Sequence, residues 1–428
     1  MEMNKLAILT FMVLASGIFT SCLKDECVEK LEYAVYEPVY LSEEQYNEGI
    51  SVLEPRPLQQ PGIIYTYQDY LFINELNKGI HIFDNSDPNN PQAVSFISIL
   101  GNTHFAIIKN QILANKFGHL LSIDISNPLS PEETSRVSDV SNDYYFENNR
   151  GYLAYYEKTD RVETIDCSDP EFNSVRWTDR QTGNIFWQGR PEVDFLAADA
   201  SNSSGGGDPG VGGSTARMTI SHNTLYWVND SQLLTFDISD QKKPREISST
   251  NIGWGIETIY PFKDKLFIGS TSGMFIFSLE DPYRPELQSS FSHANACDPV
   301  VANDNTAFVT LRSGNECNGF VNQLDVIDVE NINAPYLIRT YEMIQPQGIS
   351  LLDKYLYLCE GDFGLKILDV SQRDDVKLLN HIKSIKANDV IALGNDILMV
   401  IGDDGFTQFD ISERDNPKLL SEITVDKP

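Results

Sequence analysis

The chain is poor in positive charge and in the residues that carry familiar chemistry. Its 428 residues hold 32 Lys and Arg against 62 Asp and Glu, for a formal charge of −30. A surface of that sign repels phosphate backbones, which excludes nucleic acid as a partner. Six histidines and six cysteines are present. None forms an HExxH motif, a CxxC pair or a Cys/His cluster with zinc spacing. There is no GxSxG elbow, and the glycine-rich stretch 205–213 lacks the Lys and Ser/Thr of a phosphate-cradling loop. No cofactor is therefore indicated. Beyond the N-terminus no long apolar run occurs, and the one at residues 6–19 is too short to cross a bilayer comfortably.

That first run has the form of a targeting segment: Lys5, an apolar stretch, small Thr20 and Ser21, then Cys22. Phe19-Thr20-Ser21-Cys22 resembles a relaxed bacterial lipobox. The resemblance implies a signal peptide over residues 1–21, removed before a lipidated Cys22. Lys24-Asp25-Glu26 resembles the signal that sends lipoproteins of Bacteroidetes to the outer face of the outer membrane. Membrane contact would then come through the lipid anchor only. Residues 22–60 carry no repeat, are acidic and tyrosine-rich, and approach the main body through Pro55, Pro57 and Pro61, as a spacer does.

From residue 61 onward one pattern recurs, an apolar run ending in Asp: GIHIFD at 79–84, LLSID at 120–124, VETID at 162–166, LLTFD at 233–237, MFIFS at 274–278, LDVID at 324–328, LKILD at 365–369 and FTQFD at 406–410. Five of the seven intervals fall between 40 and 42 residues, and the other two, 71 and 50, are a regular unit plus an insertion. Ser stands two residues after the last motif position in six copies and Pro seven after it in six. Both stop a strand, since Asp and Ser bond turn backbone and Pro cannot continue a ladder. The Asp is accordingly read as a turn lock rather than as a metal ligand or catalytic acid.

Within each copy four short apolar stretches, here strands a to d, alternate with turn residues, with the two-residue periodicity and β-branched content of strands. A four-stranded unit of this length cannot cover its own two faces, whereas radial stacking covers both. The expected fold is all-β: an eight-bladed β-propeller of four-stranded antiparallel blades over 61–428, with a seven-bladed ring as the alternative. The Leu-x-Ile-x-Asp-Val-Ser pattern resembles the LVIVD-repeat β-propeller proteins. That resemblance implies a secreted or surface location and brings no reaction with it.

Two insertions interrupt the repeat, at about 178–215 and 312–322, and both fall on connections (d to a, b to c) that leave a propeller on the face where strand a begins. The residues aligned at the start of strand a are Ile63, His104, Asp143, Arg217, Glu257, Asp298, Gly348 and Asp389. The polar ones would ring one mouth of the central channel and are the candidate binding residues, together with Trp187 of the first insertion, whose ring could stack on a sugar or peptide. A water-filled channel also calls for polar lining without any ligand. Acidic members of the ring could bind Ca²⁺ through oxygen, on weak grounds. With Cys22 lipidated, an odd set remains: Cys27, Cys167, Cys297, Cys317 and Cys359. Cys297 and Cys317, within one copy, are the disulfide candidates, while Cys167 and Cys359 lie in strand-like runs as buried thiols.

Three function classes fit this sequence. The first is a cell-surface recognition module for a glycan, peptide or partner protein. The second is a hydrolase or lyase working on a carbohydrate or peptide at the channel mouth, and the third a structural subunit of an outer-membrane assembly. Oligomeric state is not legible.

Overall fold

The computed structural model describes residues 30–141, 145–166, 198–199, 211–214, 216–292, 299–312 and 321–426. The chain divides into two compact units, Met1–Glu37 with Lys158–Arg190, and Pro38–Glu157 with Pro191–Pro428. The repeats of the second unit form seven antiparallel sheets among the described residues, six of four strands and one whose four repeat strands are extended to seven. We number them as blades I to VII. Their innermost strands a are Pro61–Tyr67, Phe105–Ile108, Met218–Ser221, Ile256–Phe262, Val300–Ala302, Ile349–Leu352 and Asp389–Ala392.

The motif Asp does what its turn chemistry requires. Its Oδ1 accepts the amide of the residue two positions on, as in Ser86 to Asp84, Ser126 to Asp124, Ser239 to Asp237, Ser371 to Asp369 and Ser412 to Asp410. Ser278, standing where the others have Asp, accepts the Glu280 amide through its hydroxyl. The chain then turns and enters strand d with a register shift opposite strand c in every blade. Such bulges twist an outer edge strand away from foreign pairing. They also aim a side chain sideways at the next blade.

Those side chains close the ring. Ser95 of blade I donates to the Pro128 carbonyl in the turn of blade II at 2.7 Å, and Thr134 of blade II to the Lys242 carbonyl of blade III at 3.5 Å, beside Ser122 of strand c, which donates to Gln241 at 2.7 Å. Ser248 reaches Tyr283, Ser289 reaches Ile332, Arg339 reaches Asp374 and Asn380 reaches Asp415, each in the following blade. Ser421 of blade VII returns to Pro88 of blade I at 2.7 Å. Closure is sealed where Leu58 pairs with Val425 and where Ile64, Leu71 and Ile73 pack with Ile391, Met399 and Phe406. A phenylalanine as fully buried as Phe406 contributes roughly 1.5–3 kcal/mol by leaving water.

Blade II therefore grips the fourth motif copy directly, and the third copy is passed over. The eight motifs yield seven blades among the described residues, the alternative arrangement of the sequence reading. The third copy departs from the others between its expected strands b and c. There the sequence is Glu157-Lys158-Thr159-Asp160-Arg161, without glycine. Gly364 and Gly405 make the equivalent turns in blades VI and VII at φ of 94° and 128°, where a Cβ would strike the carbonyl of Ile382 or Ile423. The third copy does not turn there and runs straight through as one strand, Gly151–Asp166, in a three-stranded sheet with Tyr145–Glu147 and Lys30–Leu41.

The spacer is partly built into the second unit. Ser51–Leu53 adds a strand to the outer edge of blade I. The short helix Glu43–Asn47 is held by Lys116 of blade II, whose ammonium donates to the Glu48 carbonyl at 2.5 Å, while Tyr46 stacks on Phe117 and Tyr152.

Candidate functional site

The register of strands a and b decides which residues share the position at the channel wall. The carbonyls of His104, Arg217 and Gly348 accept the amides of Asn115, Val228 and Cys359, and Asp389 faces Ile401. These residues occupy equivalent places, as the sequence alignment has them. In blade IV it is Thr258 that stands opposite Gly269, and Glu257 is the extra residue of a bulge. In blade V the Pro299 carbonyl accepts from Thr310, so the position belongs to Pro299. Asp298 lies outside the described residues, as do Asp143, Trp187, Cys22, Cys297 and Cys317, and with them the lipidation site and the disulfide.

Three of the described ring residues are already engaged. Arg217 bonds Asp230 at 2.8 Å. His104 is buried, its main chain fixed by a chain of amides: Asn74 donates to Asn102, Asn102 to the His104 carbonyl, and the His104 amide to Asn115. Its Nδ1 has no hydrogen-bond partner, and burial together with the nearby Arg217 guanidinium lowers its pKa to about 3. Asp389 is buried too, and burial raises its pKa to about 7 against the bonds it accepts from Val390 and Ser214. Neutral imidazole and half-neutral carboxyl are what a water-poor channel wall imposes.

The first insertion, expected to crown the mouth, reaches inside the ring. Its Val211–Ser214 end pairs with the inner edge of strand a of blade I, Val211 opposite Thr66 and Gly212 opposite Tyr65. Ser214 meets blade VII through Asp389 and blade VI through the amide of Ile349. No sequence signal marks these partners, which are 175 and 135 residues apart from Ser214.

A second feature that the sequence reading missed is Trp254, in the connection from blade III to blade IV on the face where strand a begins. Its side chain is 81% exposed. The loop beneath it is fixed: Ile252 and Ile256 donate to Ser231 and Asp230, Thr271 donates to Gly255, and Gly253 to the Asn251 side chain. Gly255 has φ of 67°, and a Cβ there would strike the Thr271 hydroxyl. The Gly-Trp-Gly run at 253–255 was the available signal. Ile344 and Phe363 are exposed on the same face, from the connection into blade VI and from its b-to-c turn. Among the described residues no group of three His, Cys, Asp or Glu gathers to hold a metal.

The family model of the LVIVD repeat matches residues 113–139 and 345–377, in blades II and VI. The chain carries LVIVD repeats. No curated protein sequence matches it. Its fold is similar to that of a Lactobacillus plantarum protein (10% identity, 86% of this chain and 97% of that one, TM-score 0.52) and to Saccharomyces cerevisiae Sqt1 (9% identity, 87% and 88%, TM-score 0.51). The computationally designed protein Ika8 is also similar, at 10% identity over 88% of this chain and 91% of that one, with a TM-score of 0.50. At these identities the likeness speaks for the fold alone: the chain, which matches the LVIVD repeat over those two stretches, has a β-propeller-like architecture.

Proposed function

We propose that this LVIVD-repeat propeller is a recognition module, anchored to the outer membrane by lipid on Cys22, that binds a glycan, peptide or partner protein through the face bearing Trp254. The supporting observation is the presentation of that indole, exposed to 81% on a loop fixed by four hydrogen bonds and two glycines at positive φ. An aromatic face held rigid in water offers stacking and apolar area at little entropic cost on binding. An acid/base reading finds less support, since His104 is kept neutral and Asp389 is engaged by Ser214.

Trp254→Ala is expected to leave the melting temperature unchanged and to weaken binding at least about tenfold, as loss of a stacked aromatic anchor does. Glycan and surface-protein arrays probed with both proteins check this; equal signals on every feature would remove the Trp254 face from the proposal. The anchor has its own test. Cys22→Ser is expected to shift the protein from the detergent to the aqueous phase of a detergent partition and to abolish palmitate labelling. An unmodified Cys22 in the wild-type protein would refute it.

A further inference from the structure

The end of the first insertion is held in the ring by contacts that side chains larger than hydrogen would forbid. A Cβ on Gly213 would lie 1.8 Å from Oδ2 of Asp389, and one on Gly348 2.4 Å from its Oδ1. Ser214 closes the gap: its amide and hydroxyl donate to Asp389 Oδ1 at 3.1 and 3.2 Å, and its hydroxyl oxygen accepts the Ile349 amide at 2.6 Å. One serine thus ties a strand paired with blade I to blades VI and VII. The partner strand of this hairpin, Ala198–Asp199, pairs with Gly213 and Ser214 and lies against strand a of blade IV, on the other side of the ring.

We infer that Val211–Ser214 is a plug of the propeller channel, latched to blades VI and VII through Ser214 and Asp389 and freed when the Asp389 carboxyl gives its proton to solvent. The strand's own ladder is short, two residue pairs, so the latch is a large part of what holds it. The latch is built around a carboxyl with one oxygen satisfied. Oδ2 is buried and without a hydrogen bond. Around the carboxyl stand Gly213 and Ser214 of the plug, Gly348, Ile349 and Cys359 of blade VI, and Ile401 of blade VII. None is cationic, and the titratable one, the Cys359 thiol, is itself pushed up by burial and by the neighbouring carboxylate. A negative charge formed there has neutral donors on one oxygen and nothing on the other. Withdrawal of the plug would admit water to it, which is the cheaper state for an ion. Burial holds the Asp389 pKa near 7, within the range where a modest change of pH moves the population.

Hydrogen exchange on the full chain tests this without any ligand, so its outcome is separate from that of the Trp254 face. Corrected for intrinsic rates, the opening constant read at the Ser214 and Ile349 amides is expected to rise about tenfold between pH 6 and pH 8. Amides of blade V should stay protected throughout. Asp389→Asn should remove the rise, and Ser214→Ala should raise opening already at pH 6. Equal opening of the wild-type plug at the two pH values would overturn the inference, as would a full rise retained in Asp389→Asn. The wild-type comparison stands even where a variant fails to fold.

Discussion

Asp389→Asn is expected to turn a nearly level stability response to pH into one that rises between pH 4 and pH 7. In the native chain the Asp389 carboxyl has its pKa raised from 3.8 to about 7 by burial. The folded state therefore binds a proton that the unfolded state has released anywhere between those values. Stability from this group is complete below pH 4 and is lost as pH rises to 7. At about 1.4 kcal/mol for each pKa unit separating the two states, the loss is on the order of 4 kcal/mol. Asn keeps the oxygen that Ser214 requires and cannot ionise, so this falling component vanishes. What is left between pH 4 and 7 is the rising component of His104, roughly 3 kcal/mol over that range, with His119, whose pKa burial also lowers, adding in the same direction. Urea unfolding at pH 4, 5.5 and 7 reads the slope directly, and the slope is insensitive to any constant cost of the substitution. Parallel curves for variant and wild type would show that the Asp389 carboxyl does not titrate with folding.

The division between what was legible in the sequence and what was not follows the range of the interactions. Turn chemistry is local, and the Asp-x-Ser spacing announced five of the seven c-to-d turns because the bond from Ser86 to Asp84, or from Ser412 to Asp410, spans two residues. Strand count per unit was legible for the same reason. The number of blades was not, because a motif copy becomes a blade only if the chain also turns between its strands b and c. In the third copy the motif survives at 162–166 while the chain makes no turn ahead of it. The wall positions were readable where the strand a alternation is regular, as at His104, Arg217 and Asp389. They slipped by one where a bulge, invisible in composition, displaces Glu257 and passes the place to Thr258. Ser214 could not be found at all: its partners are set by the curvature of the ring, and a serine beside glycines reads as loop.

His104→Gln is expected to give the opposite slope to Asp389→Asn. Burial and the charge of Arg217 lower the His104 pKa from 6.5 to about 3, so in this interval it is the unfolded chain that holds the extra proton. The stability due to His104 is complete above pH 6.5 and is lost as pH falls toward 3. From pH 6.5 to 4 that loss is on the order of 3 kcal/mol. In the wild-type protein it nearly cancels the gain from Asp389 over the same range, and stability should be almost level between pH 4 and 7. The other strongly shifted carboxyls do not disturb this balance: Asp237 and Asp369 are held down at about 2 by their Ser239 and Ser371 bonds, so their contributions change only below pH 4. Removing the imidazole leaves Asp389 uncompensated, and His104→Gln should lose roughly 4 kcal/mol between pH 4 and 7. The double variant, lacking both groups, should keep only the rise with pH that buried His119 contributes. A slope in the double variant as steep as in either single one would assign the pH response to groups elsewhere in the ring.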